Sequence, residues 1–187
     1  MKFEEIYEQI KDIGGWMGKE DCLVLYNYAK KVKHGLIVEI GSFTGRSVKV
    51  MALASPSSKI VAIDPYFKNR PFAYPFEKAN SEEIMNQFLK TTRELNVELI
   101  RKPSQLAGKT WNKKIDLLHI DGDHRYKSVK QDIRLFIPHV KKGHYILVHD
   151  YVVMGGEPKI EVKRAVDDST KYFKDIKQEG GFACCRV

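Results

Sequence analysis

The chain has 187 residues, 43% of them hydrophobic and 30% charged, with a formal net charge of +8 at pH 7. That length suits one domain that buries a sizeable core without disulfide or metal staples, and the composition excludes a disordered chain. The charge permits an anionic partner without demanding one, and no apolar run is long enough to cross a bilayer.

Residues 3–12 and 19–33 read as helices separated by Gly14–Gly15, and in the second Cys22, Leu25, Ala29 and Val32 share one face. The opening Lys2-Phe3-Glu4-Glu5-Ile6 lacks the apolar core of a secretory signal. Leu36–Ile40 is a strand apolar on both sides, as in a buried parallel sheet. A glycine-bearing turn at 41–45 leads into a helix from Arg46 to about Ser55, halted by Pro56, and Ile60–Ile63 is the second strand. Residues 65–80 break the rhythm, with Pro65, Pro71 and Pro75 among Tyr66, Phe67, Phe72, Tyr74 and Phe76. The next helix starts near Ser81, with Asn80 as N-cap and Glu83 as its capping-box partner. Val97–Ile100 and Ile115–Ile120 are strands, 126–137 a helix before Pro138, and Tyr145–Val148 a fifth strand. A short helix near 161–169 precedes Tyr172–Lys177, the Gly180–Gly181 turn and Phe182–Val187, which read as an antiparallel hairpin.

Strands alternating with helices predict an α/β fold. The chain carries three cysteines, and the adjacent Cys184 and Cys185 point to opposite faces of a strand and cannot pair with each other. An odd count without metal-ligand spacing points to a reducing cytoplasm and ordinary core thiols. The pairs Lys30–Lys31, Lys113–Lys114, Lys141–Lys142 and Lys163–Arg164 are dispersed and accompany no nucleic-acid-binding motif, which weighs against nucleic acid as a partner.

The segment Glu39-Ile40-Gly41-Ser42-Phe43-Thr44-Gly45-Arg46-Ser47 runs from a buried strand through a tight turn into a helix, and Asp64 follows the second strand. Strand, glycine turn, helix, strand and acid describe a nucleoside-binding crevice. The spacing is G-x-x-x-G, without the G-x-G-x-x-G of a dinucleotide site, and Glu39 disfavours a ligand bearing phosphates while suiting one with an amine and a sulfonium. For the glycines alone, a tight βα turn is a sufficient reading. Three carboxylates at the ends of strands four and five, Asp121, Asp123 and Asp150, with His124 and His149 beside them, are costly unless a cation or a proton uses them. Oxygen ligands of this kind suit Mg²⁺ or Mn²⁺, which would lower the pKa of a substrate hydroxyl. Asp121 and Asp123 also fit turn- and helix-capping roles, and His119, inside a strand, reads as a satisfied core residue.

The stretch Glu39 to Gly45 followed by Asp64 resembles motifs I and II of the class I S-adenosylmethionine-dependent methyltransferases. Ile115-Asp116-Leu117-Leu118-His119-Ile120-Asp121-Gly122-Asp123-His124-Arg125-Tyr126 and Gly143-His144-Tyr145-Ile146-Leu147-Val148-His149-Asp150-Tyr151 are similar to their small-molecule O-methyltransferase branch, the macrocin- and catechol-type enzymes. The resemblance implies one domain over 1–187: a Rossmann-like three-layer sandwich around a mostly parallel seven-stranded sheet with an antiparallel C-terminal hairpin, preceded by helices in 1–34. It implies S-adenosyl-L-methionine as cofactor, held by Glu39, Gly41, Ser42, Gly45 and Ser47, with Asp64 on the ribose, Ser104–Gln105 along the adenine, and Asp121 nearby. It implies a divalent metal on Asp121 and on an acidic pair after strand five, where this chain has His149 and Asp150; imidazole there suits Mn²⁺ better than Mg²⁺. Asp121, Asp123 and His124 are the candidate catalytic groups, the last two as bases. Segments 65–80 and 151–159 form the expected lid over a small hydroxylated acceptor, with Lys68 and Arg70 suited to an anionic one. The aromatics of 65–80 also fit burial against a second copy, which leaves a homo-oligomer open. The alternatives are an RNA or protein methyltransferase and a non-catalytic nucleoside-binding or oxidoreductase Rossmann-like protein.

Overall fold

The computed structural model describes residues 1–67, 81–152 and 160–187. The elements in chain order are α1 (Phe3–Ile10), α2 (Lys19–Ala29), β1 (Leu36–Ile40), α3 (Arg46–Ala54), β2 (Lys59–Ile63), α4 (Ser81–Thr92) and β3 (Val97–Ile100). They continue as α5 (Ser104–Lys109), β4 (Ile115–Ile120), α6 (Tyr126–Phe136), β5 (Val140–Val148), α7 (Ile160–Asp167), β6 (Asp175–Glu179) and β7 (Phe182–Arg186). The strands form one seven-stranded sheet in the order β3-β2-β1-β4-β5-β7-β6. β1 to β5 run parallel, and β7 pairs antiparallel with both β5 and β6. This is the expected three-layer sandwich with its antiparallel hairpin.

Alternation along the strands sorts side chains onto two cores. Ile37, Ile60, Ala62 and Leu117 pack with α1 to α4, while Val38, Ile40, Val61 and Ile120 pack with α5 to α7. A fully buried aliphatic side chain of this kind contributes roughly 1.5–3 kcal/mol. Glu39 of β1 and His119 of β4 interrupt the apolar run and are both fully buried, whereas Asp116 near the start of β4 is only partly buried. β1 lies between β2 and β4, so the direction of winding reverses there and opens a crevice at the carboxyl ends of the strands.

Several boundaries differ from the sequence reading. β5 begins at Val140, where it pairs with Ile115 of β4; its first half, Lys141-Lys142-Gly143-His144, is polar and largely exposed and so shows no apolar alternation in the sequence. Residues 104–109 are a short helix, entered through Pro103, with Gly108 pressed on α6: a Cβ there would lie 2.9 Å from Phe136. Six residues are too few to display a helical period. Tyr172 lies in a 3-10 turn, and β6 starts at Asp175. The proposed N-cap Asn80, the cations Lys68 and Arg70, and most of both lid segments lie outside the described residues. No helix among the described residues is long and apolar enough to cross a membrane.

Candidate active site

Backbone hydrogen bonds stagger the strand ends into one wall: Gly41 N–H donates to Ile63 O, Asp121 N–H to Ile40 O and His149 N–H to Ile120 O, at 2.9, 2.9 and 3.0 Å. Gly41 has φ +84°, and a Cβ on it would sit 2.2 Å from the Asp121 carbonyl oxygen and 2.6 Å from Gly122 Cα. The first glycine of the motif is therefore required by the close approach of the β4–α6 turn. Gly45, φ +87°, is the N-cap of α3 and faces Phe88 and Thr91 of α4. Both glycines have a packing reason of their own.

Asp64 stands at the end of β2 as expected, buried, and its carboxylate braces the turn. Oδ2 accepts the backbone N–H groups of Ser42 and Phe43 at 3.1 and 3.2 Å, and Oδ1 accepts that of Tyr66 at 3.0 Å. Tyr66 returns its hydroxyl to Phe43 O at 2.8 Å. Phe43 itself has φ +44°, a left-handed backbone unusual for a bulky residue and typical of turns held at functional sites. The loop between α1 and α2 closes over the turn. Thr44 Oγ1 donates to Gly14 O at 2.5 Å, and Arg46 donates to the carbonyls of Lys11, Ile13 and Met17. Met17 is buried, whereas Trp16 is exposed with its ring 5.0 Å from that of Phe43.

Across the crevice, acids and imidazoles alternate. Asp21 Oδ2 lies 3.2 Å from His149 Nε2, and His149 Nδ1 lies 3.2 Å from Asp121 Oδ1. His124 Nε2 then lies 3.5 Å from Asp121 Oδ1 and 3.2 Å from Asp150 Oδ2. Asp150 has φ +57°, which turns the chain sharply after β5. Burial alone would lower the His149 pKa, but the charges of Asp121 and Asp150 and the hydrogen bonds to Asp121 and Asp21 outweigh it and raise it to about 10. Burial would likewise raise that of Asp121, yet the histidines around it hold its carboxyl far below the usual range. Asp121, His124 and Asp150 offer ligand atoms that all lie within 4.8 Å of one another.

Among the described residues, the group that could hold a metal ion differs by one member from the expected Asp121, His149 and Asp150. His149 has both ring nitrogens against carboxylates and stands behind Asp121, and His124 takes the third place of the group. Asp123 accepts from Arg125 and from Ser128 Oγ at 2.8 Å, so it organises the entry to α6. Ser104 donates its hydroxyl to buried Asp132 of α6 at 2.6 Å. Ser47 lies in the first turn of α3, as the sequence placed it, and Gln105 in the first turn of α5, a helix that the sequence did not show. Glu39 is buried in β1, where its Oε1 meets His119 Nδ1 at 2.7 Å. Asp21 is the residue that the sequence reading missed. It reaches the cluster from α2 and also accepts the Gly181 N–H at 2.8 Å, and 128 residues separate it from His149 with no motif to link them.

Among the described residues, the buried side-chain oxygens and nitrogens without a hydrogen-bond partner include Glu39 Oε2, Ser42 Oγ and His119 Nε2, all at the end of β1 or beside it. Buried polar atoms are nearly always paired, so three together mark a place that a ligand or water serves. A separate cavity of about 270 Å³ beside α5, lined by Ile100, Lys102, Ala107, Thr110, Trp111, Asn112 and Lys113, holds no acidic or imidazole group and lies apart from this cluster.

Residues 38–151 match the model of a family described as a methyltransferase domain. An uncharacterized protein of Acanthamoeba polyphaga mimivirus is 30% identical over 128 residues, 66% of this chain and 54% of that protein, so the chain spans about half the length of this curated relative. The fold is similar to cofactor-bound Rv0187 from MTB, with a TM-score of 0.69 and 16% identity over 98% of this chain and 88% of that one. It is similar to the O-methyltransferase NovP, with a TM-score of 0.67 and 18% identity over 90% of this chain and 80% of that one. It is also similar to CalS11, a TDP-rhamnose 3'-O-methyltransferase, with a TM-score of 0.60 and 14% identity over 98% and 92%.

Proposed function

The chain belongs to the methyltransferase-domain family, and from that premise we propose that it moves a methyl group from S-adenosylmethionine to a hydroxyl oxygen of a small acceptor. The partnerless buried atoms Glu39 Oε2 and Ser42 Oγ beside the glycine turn fit such a cofactor, because one offers an acceptor for its amine and the other a hydroxyl for its polar groups. When bound, S-adenosylmethionine supplies an electrophilic methyl group on a sulfonium. The observation that carries the O-methyl reading is the convergence of Asp121, His124 and Asp150 at the ends of β4 and β5, next to that turn. Two carboxylates and one imidazole suit a divalent cation, Mn²⁺ better than Mg²⁺ because of the nitrogen ligand.

Asp121 and Asp150 would hold the cation and, through it, the acceptor oxygen, and a bound cation favours the ionised form of that oxygen. His149, between Asp21 and Asp121, fixes the orientation of the Asp121 carboxylate. With a cation bound, His124 would supply the nitrogen ligand; where no cation is held, its half-exposed imidazole is the better placed proton acceptor, since Asp123 is committed to Arg125 and Ser128. Lys33, Lys113 and Lys114, just before parallel strands, and Lys141, the second residue of β5, lie at the opposite end of the sheet, so these cations do not converge on the crevice as a nucleic-acid surface there would need. The test is calorimetry with Mn²⁺ and with Mg²⁺ in the presence of S-adenosylhomocysteine. The expected result is that Mn²⁺ binds the parent chain more tightly than Mg²⁺ does and that Asp121→Asn abolishes binding. Unchanged Mn²⁺ binding in Asp121→Asn, or none in the parent, removes the metal from the proposal.

A further inference from the structure

Glu39 and His119 are register partners on the central strands β1 and β4, and both are fully buried. Their side chains share the face covered by α1 to α4, and they meet through Glu39 Oε1 and His119 Nδ1 at 2.7 Å. The opposite atom of each group, Glu39 Oε2 and His119 Nε2, has no hydrogen-bond partner. The ring of His119 is held from the other side by Phe182 of β7, at 5.6 Å between centroids, and Phe182 also packs against His149. A carboxylate in an apolar core with one oxygen served and one left over is costly, and the leftover oxygen lies two residues before the glycine turn.

We propose that His119 is a positioning residue for the amino-acid end of the cofactor: it fixes one oxygen of Glu39 so that the other faces the cofactor's ammonium group, directly or through one bridging water. The inference rests on the cofactor reading above and adds to it a residue that otherwise reads as inert core. Without the donor at Nδ1, the carboxylate is free to rotate, and both its oxygens compete for the same cation. The effect is confined to ligands that carry the amino-acid end. A charge-assisted hydrogen bond lost in this way lowers affinity by about tenfold or more.

The experiment compares binding of S-adenosylhomocysteine with that of 5'-methylthioadenosine, which keeps the nucleoside and lacks the amino-acid end. The parent chain is expected to prefer S-adenosylhomocysteine. His119→Phe and Glu39→Gln should each reduce that preference about tenfold while leaving 5'-methylthioadenosine affinity unchanged. His119→Asn, whose amide nitrogen takes the place of Nδ1, retains most of it. Thermal unfolding of each variant with and without the ligands establishes that the folded chain is being compared. An equal loss of affinity for both ligands means that His119 only supports the fold, and an unchanged preference means that it does not position Glu39; either overturns the proposal. A parent chain that binds neither ligand overturns the cofactor reading itself and the proposal with it, which is a distinct result.

Discussion

Gly41→Ala is the most incisive single change, because two independent penalties fall on the same methyl group. A left-handed backbone costs an L-residue roughly 1–2 kcal/mol, and Gly41 has φ +84°. The added Cβ would stand 2.2 Å from the Asp121 carbonyl oxygen and 2.6 Å from Gly122 Cα, both main-chain atoms that move only with the β4–α6 turn. Overpacking of this kind costs about 1–3 kcal/mol, so the total is roughly 2–5 kcal/mol. For a chain of this size each kcal/mol lowers Tm by about 2–4 °C, which places the loss at roughly 4–20 °C. Two other glycines calibrate the terms. Gly143, φ +81°, has nothing within 4 Å of a Cβ and reports backbone strain alone. Gly45, φ +87°, would meet only side chains, with Phe88 Cδ2 at 3.1 Å, and adds a small packing term. Urea unfolding followed by circular dichroism gives the three stability losses, expected in the order Gly143→Ala, Gly45→Ala, Gly41→Ala. A loss below about 1 kcal/mol at Gly41, less than its strain term alone, or one no larger than at Gly143, refutes the close-approach account.

Three further outcomes follow from the ionisable groups. His149 binds its proton more tightly in the folded chain, at about 10 against the ordinary 6.5, so its stabilisation is complete below about pH 6.5 and fades as pH rises toward 10; the urea midpoint should fall over that window, and fall less in His149→Gln, with equal slopes counting against the imidazole's role. Burial, only partly offset by the Ser104 hydroxyl, raises Asp132 to about 7 from 3.8, so its contribution is intact below about pH 3.8 and is lost as pH rises through about 7. Asp132→Asn should therefore stabilise the chain at pH 8 by on the order of 1–3 kcal/mol and change little at pH 4, and a destabilised variant at pH 8 would contradict this. Arg46→Met removes the hydrogen bonds to the carbonyls of Lys11, Ile13 and Met17 and should cost about 2–4 kcal/mol; proteolysis should then cut within 11–17 faster than in the parent, and equal rates would show that Arg46 does not hold that loop.

The fold was legible wherever apolar pattern and turn chemistry agreed. β1, β4 and the Gly180–Gly181 hairpin show themselves in local runs, and the glycine turn with Asp64 marks the crevice. The polar half of β5 and the six-residue α5 carry no such pattern, and both emerge only from pairing and packing. Within the candidate site, the sequence brings the residues near Asp121 and Asp150 together because they end neighbouring parallel strands. It cannot tell which imidazole faces which carboxylate. Asp21 meets His149 Nε2 and accepts the Gly181 N–H, so it ties that imidazole to the hairpin turn while His149 Nδ1 stays against Asp121, and His124 faces Asp121 and Asp150 from the other element. The partnership of Glu39 with His119 depends on the register of β1 on β4, which no local pattern encodes.

The central claim is that the crevice at the ends of β1 and β4 receives S-adenosylmethionine, and calorimetric titration of the parent chain with S-adenosylhomocysteine and, separately, with NAD tests it most directly. The G-x-x-x-G turn, the buried acid Glu39 and its partnerless oxygen predict stoichiometric binding of S-adenosylhomocysteine and no measurable heat with NAD. No binding of S-adenosylhomocysteine, or binding of NAD that S-adenosylhomocysteine fails to displace, would contradict it.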